Sequence, residues 1–167
     1  MLNKNGLIIA LFILLTTILM IGYGFGVKAQ YLPFTEELGF NASQLQFIRG
    51  WLLLAWVAGI LLPILLLIQS WKQPAARLFW CGYLLTLVIQ IFSEGFLSRR
   101  LVPSIVVPIG FVYTAFRLWQ LVDGFGQLTL SSLPLVAFRV VILFWAANLV
   151  MLLLVSWPTV FTGFKSS

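Results

Sequence analysis

Residues 6–27 read GLIIALFILLTTILMIGYGFGV and carry no charged side chain. An α-helix needs roughly 20 predominantly apolar residues to cross the hydrocarbon core of a bilayer. Four more apolar stretches follow, over about residues 49–69, 75–97, 103–122 and 134–157. The sequence therefore predicts an all-α integral membrane protein with about five transmembrane helices and short loops. We expect no soluble domain and a single transmembrane domain over residues 1–167.

The composition supports a multi-pass membrane location. Hydrophobic residues make up 62% of the chain and charged residues 8%, whereas a soluble domain has roughly 45–50% and about 25%. So little polar surface could not cover a globule in water, and membrane lipids must therefore contact much of the chain.

The first apolar stretch allows two interpretations. Val27 and Ala29 occupy the −3 and −1 positions of a possible signal-peptidase cleavage before Gln30. A signal peptide, however, has an apolar region of only about 7–15 residues, so a retained membrane helix is favoured. Gly22 and Gly26 have the small-xxx-small spacing that lets two helices approach closely, and a frayed helix end is the alternative.

The basic residues are scattered rather than clustered. A net charge of +6 comes from ten Lys and Arg against four acidic residues. Nucleic-acid binding needs a clustered basic face, so we expect headgroup anchoring and no nucleic-acid partner. Five spans place Lys4, Lys72, Arg77, Arg117 and Arg139 on one side and Lys28, Arg49, Arg99, Arg100 and Lys165 on the other. This tie leaves the positive-inside rule without a preference.

A cytoplasmic N-terminus is favoured by the longest loop, because Glu36 and Glu37 would then face outward.

The first loop contains two predicted helix caps. Thr35 is predicted to cap a single helical turn that stops at Gly39. Ser43 with Gln46 three residues later fits a capping box, so the second helix should begin near Ser43.

The chain contains no His and one Cys. Because His is the commonest metal ligand and general acid or base near neutral pH, no cofactor bound by His is expected. Contacts with a lipid, a quinone or a pigment held by other groups stay open. A single Cys allows no intrachain disulfide.

Polar residues inside the apolar stretches are the candidate site residues. Gly82, Thr86, Gln90 and Glu94 share one helix face by their spacing of four, and Tyr113, Arg117 and Gln120 share another. The neutral residues within the spans could bond neighbouring helices or line a ligand site; they are Thr86, Gln90, Tyr113, Gln120 and Asn148.

The charged candidates also allow two interpretations. Glu94 could be a proton or cation site with Arg117 or Arg139 as its counter-ion. Alternatively, Glu94 reaches the membrane interface and both arginines snorkel toward the loop at Asp123. In that case Arg117 could pair with Asp123, and direct pairing of Glu94 with Arg117 is not expected.

Known catalytic and nucleotide-binding patterns are missing from the sequence: a P-loop, a Rossmann fingerprint, and a nucleophile with a His base. We therefore expect no enzyme. The prediction is an accessory, structural or assembly subunit of a larger membrane complex, with lipids and other membrane subunits as partners. One alternative is a small transporter or channel that acts as a homo-oligomer through Glu94 and the arginines. Another is a sensor or lipid-binding module.

Overall fold

Five long helices form the chain in a computed structural model that describes residues 4–128 and 132–161. They are α1 (Lys4–Lys28), α2 (Ala42–Gln69), α3 (Pro74–Arg100), α4 (Pro103–Gln127) and α5 (Ser132–Val160). Each is long and apolar enough to span a membrane, and each contains one of the predicted segments. Within the described ranges there are no strands beyond one isolated bridge between Phe34 and Phe161. Lys165 lies outside the described residues.

The helices α3 and α4 form a central antiparallel hairpin. On one side α1 packs against both of them through a core that includes Met20, Leu97 and Ile109. On the other side α2 and α5 pack through a core that includes Leu66 and Phe138. In the most apolar part of α4, 56% of residues are buried, against 11% in α1, so α4 is the interior helix.

Successive helices alternate in direction and leave the bundle with two ends. The near end holds the start of α1, the turn after Gln69 and the end of α4 at Gln127. The far end holds Lys28, the α3–α4 turn after Arg100, and Val160.

A proline shapes the middle of α2. Pro63 has no N–H, so the carbonyl of Gly59, four residues earlier, lacks its α-helical partner. The preceding residues, Ala55–Leu61, form a π-helix, in which bonds run to the carbonyl five residues back, as from Leu62 N–H to Val57 O. The hydroxyl of Tyr83 in α3 donates to the Gly59 carbonyl at 2.8 Å. The helix therefore opens before Pro63, and a neighbouring helix supplies the missing donor.

The start of α2 corrects the predicted cap. Asn41, not Ser43, is the N-cap, and its side chain accepts from Gln44 N–H at 2.8 Å. The Gln44 side chain accepts from Asn41 N–H at 3.0 Å and completes the capping box. Ser43 donates its hydroxyl to Asn41 Oδ1 at 2.7 Å. Ser43 therefore supports the cap from inside the first turn.

The predicted turn of helix at Thr35 is wrong. Thr35 N–H donates to the carbonyl of Val160 at 2.8 Å, and its hydroxyl donates to Glu37 O at 2.7 Å. Ser104 N–H donates to Glu36 O at 2.9 Å. The loop forms no helix there because its backbone groups bond to the far ends of α4 and α5.

Close approach at the end of α1 involves a different glycine from the predicted pair. A Cβ on Gly24 would lie 2.6 Å from Leu101 Cδ1, whereas nothing lies within 4 Å of one on Gly22. A Cβ on Gly26 would meet only Leu32 in the following loop. Gly24 is therefore the position at which a side chain on α1 would prevent close packing against the α3–α4 turn.

Candidate functional site

Arg117 is the charged side chain at the centre of the bundle. It lies in the α-helical part of α4, Val106–Gln127, roughly 15 Å along the axis from either end. Its side chain is fully buried, at 0% exposure. The predicted snorkelling toward Asp123 is wrong, since the Asp123 carboxylate instead accepts from Gln127 at 2.8 Å. A charge in the middle of a span is costly unless protein groups surround it.

Three side chains surround the Arg117 guanidinium. Its Nη2 donates to Gln90 Oε1 at 2.7 Å. The guanidinium carbon lies 4.1 Å from the centre of the Trp145 ring and 5.5 Å from that of Tyr83. Cation–π contacts are worth about 2 kcal/mol or more when desolvated. Two aromatic faces and one amide therefore contact this charge in place of water, while Arg117 Nε and Nη1 have no hydrogen-bond partner among the described residues.

Gln90 joins Arg117 to Glu94. Its amide nitrogen donates to Glu94 Oε1 at 2.7 Å, while its oxygen accepts from Arg117. The charges fix this orientation, because the cation requires an acceptor and the carboxylate requires a donor. Glu94 is half-buried, and its Oε1 lies 3.6 Å from where Gly110 of α4 would carry a Cβ. The expected lack of direct pairing between Glu94 and Arg117 agrees with this bridge.

The aromatic residues around Arg117 are themselves hydrogen-bonded. Trp145 Nε1 of α5 donates to the Tyr83 hydroxyl at 2.7 Å, and that hydroxyl donates to Gly59 O. This chain of bonds joins α5, α3 and α2 beside the guanidinium of α4. We call Tyr83, Gln90, Glu94, Arg117 and Trp145 the Arg117 cluster. Its residues lie on α3, α4 and α5, and the bond from Tyr83 to the Gly59 carbonyl adds α2 as a fourth helix.

The other candidate residues lie outside the cluster. Tyr113 is buried and packs edge-on against Phe12 of α1, with ring centres 5.1 Å apart. Gln120 is buried in the part of α4 toward the near end, and its Oε1 accepts from the Thr86 hydroxyl at 3.1 Å. Arg139 is exposed and lies over the Phe125 ring at 5.9 Å, so it is not a counter-ion of Glu94. The two predicted polar faces do meet, since Thr86 contacts Gln120 and Gln90 contacts Arg117.

A second polar contact ties α2 to the interior. Trp51 Nε1 donates to Asn148 Oδ1 at 2.7 Å, and Asn148 Nδ2 donates to the Thr114 hydroxyl at 3.1 Å. The sequence offered Asn148 as an interhelical residue but gave no partner for it. Trp145 and Tyr83 were missed altogether, because one aromatic among many in an apolar stretch carries no signal of burial.

Two cavities lie away from the Arg117 cluster. One of about 1000 Å³ sits at the far end, between the loop at Thr35–Gly39 and residues 158–161. One of about 540 Å³ sits at the near end, between α1, α3 and α4. Within residues 4–128 and 132–161, no group of three or more His, Cys, Asp or Glu is placed to hold a metal ion.

No model of a known protein family matches the chain, and no curated protein or solved structure shows significant similarity to it.

Proposed function

We propose that this chain is a non-catalytic accessory or structural subunit of a larger membrane protein complex. Support comes first from the use of its interior polar groups. Arg117, Gln90 and Tyr83 bond to residues on other helices, so the strongest interactions inside the bundle hold helices together. Such a bundle leaves its outer faces for lipid and for neighbouring proteins.

The observation that carries the proposal is Trp56 on the outer face of α2. This residue lies near the middle of α2, roughly 20 Å along the axis from either end. It is 62% exposed, and Leu53 and Val57 beside it are also exposed. Tryptophan in a membrane protein prefers the headgroup level, where its N–H meets water or lipid oxygens. Trp56 instead presents its indole N–H at mid-depth.

A partner helix would resolve this placement. Tryptophan is among the residues that contribute most to protein–protein interfaces, where an apolar surround excludes water from it. A neighbouring subunit can supply both the apolar contact and an acceptor for the N–H, whereas acyl chains supply no acceptor. The proposed interface is therefore the face of α2 centred on Trp56.

Site-specific photo-crosslinking tests this proposal. A photoreactive amino acid at position 56, in the native membrane at native expression, should give a discrete adduct with a different protein. The matched control is position 143, where Leu143 is 69% exposed on α5, and it should give lipid adducts. Adducts with a second copy of the chain would favour a homo-oligomer instead. Lipid adducts alone at position 56 would refute the subunit proposal.

One observation favours the alternative of a small transporter or channel. Glu94, Gln90 and Arg117 form a continuous polar line from the far third of α3 to the middle of α4. In that alternative, Glu94 accepts a proton or cation from the far side. Replacing Glu94 by Gln should then abolish cation- or proton-coupled uptake in proteoliposomes, with Glu37→Gln in the loop as the control. Uptake that survives Glu94→Gln would remove this alternative.

A further inference from the structure

A groove at the near end of the bundle lies between α1, α3 and α4. Its cavity volume is about 540 Å³, within the range of roughly 300–1,000 Å³ typical of small-ligand sites. Its walls are mainly apolar and include Ile9 and Ile13 of α1 and Leu85 of α3. A groove with such walls suits an apolar chain.

Polar groups line the same groove on the α4 side, in a graded order. Gln127 and Asp123 lie at its outer end, and Gln120 lies deeper. By the rise of an α-helix, Asp123 is about 6 Å below Gln127, and Gln120 is about 4.5 Å below Asp123. The groove is therefore charged near its mouth, carries an amide below it, and is apolar beyond.

Gln120 adds an independent observation. Its side chain is only 8% exposed and lines the groove. Its Oε1 accepts from the Thr86 hydroxyl at 3.1 Å. The amide nitrogen Nε2 is a donor, so it is available to a molecule in the groove. A buried amide below the polar mouth of the groove calls for a polar group on the occupant at that depth.

The groove also has a closed floor. A Cβ on Gly124 of α4 would overlap the ring of Phe79 in α3. The two helices are therefore in direct contact behind the groove. A Cβ on Gly82 would lie 3.0 Å from Ile9 Cδ1, so α1 closes on α3 deeper in. The shape is set by helix packing and does not depend on an occupant.

We propose that this groove binds one phospholipid whose headgroup carries a primary ammonium, as in phosphatidylethanolamine. The ammonium lies at the Asp123 carboxylate, an ester group at the Gln120 amide, and one acyl chain along Ile9, Ile13 and Leu85. Charge complementarity selects this lipid class, because Asp123, the one charged side chain among the described residues that line the groove, favours a cationic headgroup and repels an anionic one.

Retained-lipid measurement tests the headgroup. The full chain is reconstituted in vesicles of equal parts phosphatidylethanolamine and phosphatidylglycerol, extracted in mild detergent, and analysed by native mass spectrometry. We expect phosphatidylethanolamine to be retained over phosphatidylglycerol by up to about fivefold, the upper effect of one solvent-exposed ion pair at Asp123. Asp123→Asn should bring the ratio close to one, and Glu37→Gln at the far end should leave it unchanged. Equal retention by the unaltered chain would overturn the proposal.

Photo-crosslinking locates the lipid. Phosphatidylethanolamine with a diazirine in one acyl chain should give adducts concentrated on the groove-lining residues of α1 and α3. Ala10→Phe fills the groove and should reduce these adducts, whereas Leu11→Phe on the exposed face of α1 should not. Adducts spread evenly over the outer helices would also overturn the proposal. If Ala10→Phe fails to fold, the adduct pattern of the unaltered chain still decides the question.

Discussion

Replacing Tyr83 by Phe removes one oxygen atom and two buried hydrogen bonds. The hydroxyl donates to Gly59 O at 2.8 Å and accepts from Trp145 Nε1 at 2.7 Å. The ring stays in place, so its packing in the core and its contact with Arg117 are retained. The substitution therefore isolates the polar link among α2, α3 and α5.

The expected cost follows from the number of bonds. Interhelical hydrogen bonds in membrane proteins contribute on average about 0.6 kcal/mol and at most about 1.7 kcal/mol each. Two bonds give a loss of about 1–3 kcal/mol in the free energy of unfolding. Pro63→Ala should reduce this cost by about half, because the restored N–H can bond the Gly59 carbonyl in place of Tyr83.

The assay is reversible unfolding in mixed micelles by a denaturing detergent, followed by tryptophan fluorescence. Tyr23→Phe is the matched control, because the Tyr23 hydroxyl is buried without a hydrogen-bond partner among the described residues. Its removal should leave stability unchanged or slightly raised. Equal effects of the two substitutions, or an undiminished cost of Tyr83→Phe in the Pro63→Ala background, would refute the reasoning.

Two further substitutions probe the α3–α4 contact. Gln90→Leu leaves the Arg117 Nη2 without its acceptor and should lower the free energy of unfolding by about 1.5–3 kcal/mol; Gln69→Leu, at the exposed end of α2, should have little effect in the same unfolding assay. Gly124→Ala forces a methyl group into the Phe79 ring and should cost about 1–3 kcal/mol. Gly126→Ala meets no atom within 4 Å and should raise stability by up to about 1 kcal/mol, since alanine favours a helix. A smaller cost for Gly124→Ala than for Gly126→Ala would contradict the close packing.

The positions of the helices could be predicted from the sequence because length and hydropathy suffice for that purpose. Predicted segments such as 75–97 fall inside the observed helices, here Pro74–Arg100. The cap of α2 was misplaced by two residues because Asn41 and Ser43 are each followed by a Gln three residues later. Only the structure shows that Asn41 has the extended backbone that a cap requires.

The site was harder to predict because nearly every residue around it is apolar. In a soluble helix the polar face reveals the buried face, but here most outward-facing positions are as apolar as most interior ones. The distance of Arg117 from the loop at Asp123 is compatible with a side chain that snorkels toward that loop and with one that points inward. Its inward orientation depends on Trp145, which is far away in sequence. The opening at Pro63 implied a free carbonyl at Gly59, but not that Tyr83 would supply the donor.

Five helices that each cross the membrane would place the two termini on opposite sides of the bilayer. Reporter fusions at the N-terminus and at the C-terminus, each active on one side only, measure this directly. We predict that the two fusions report opposite sides, and that the N-terminal fusion reports the cytoplasm. Both termini on the same side would contradict the five-span bundle on which the Arg117 cluster, the proposed subunit interface and the lipid groove all depend.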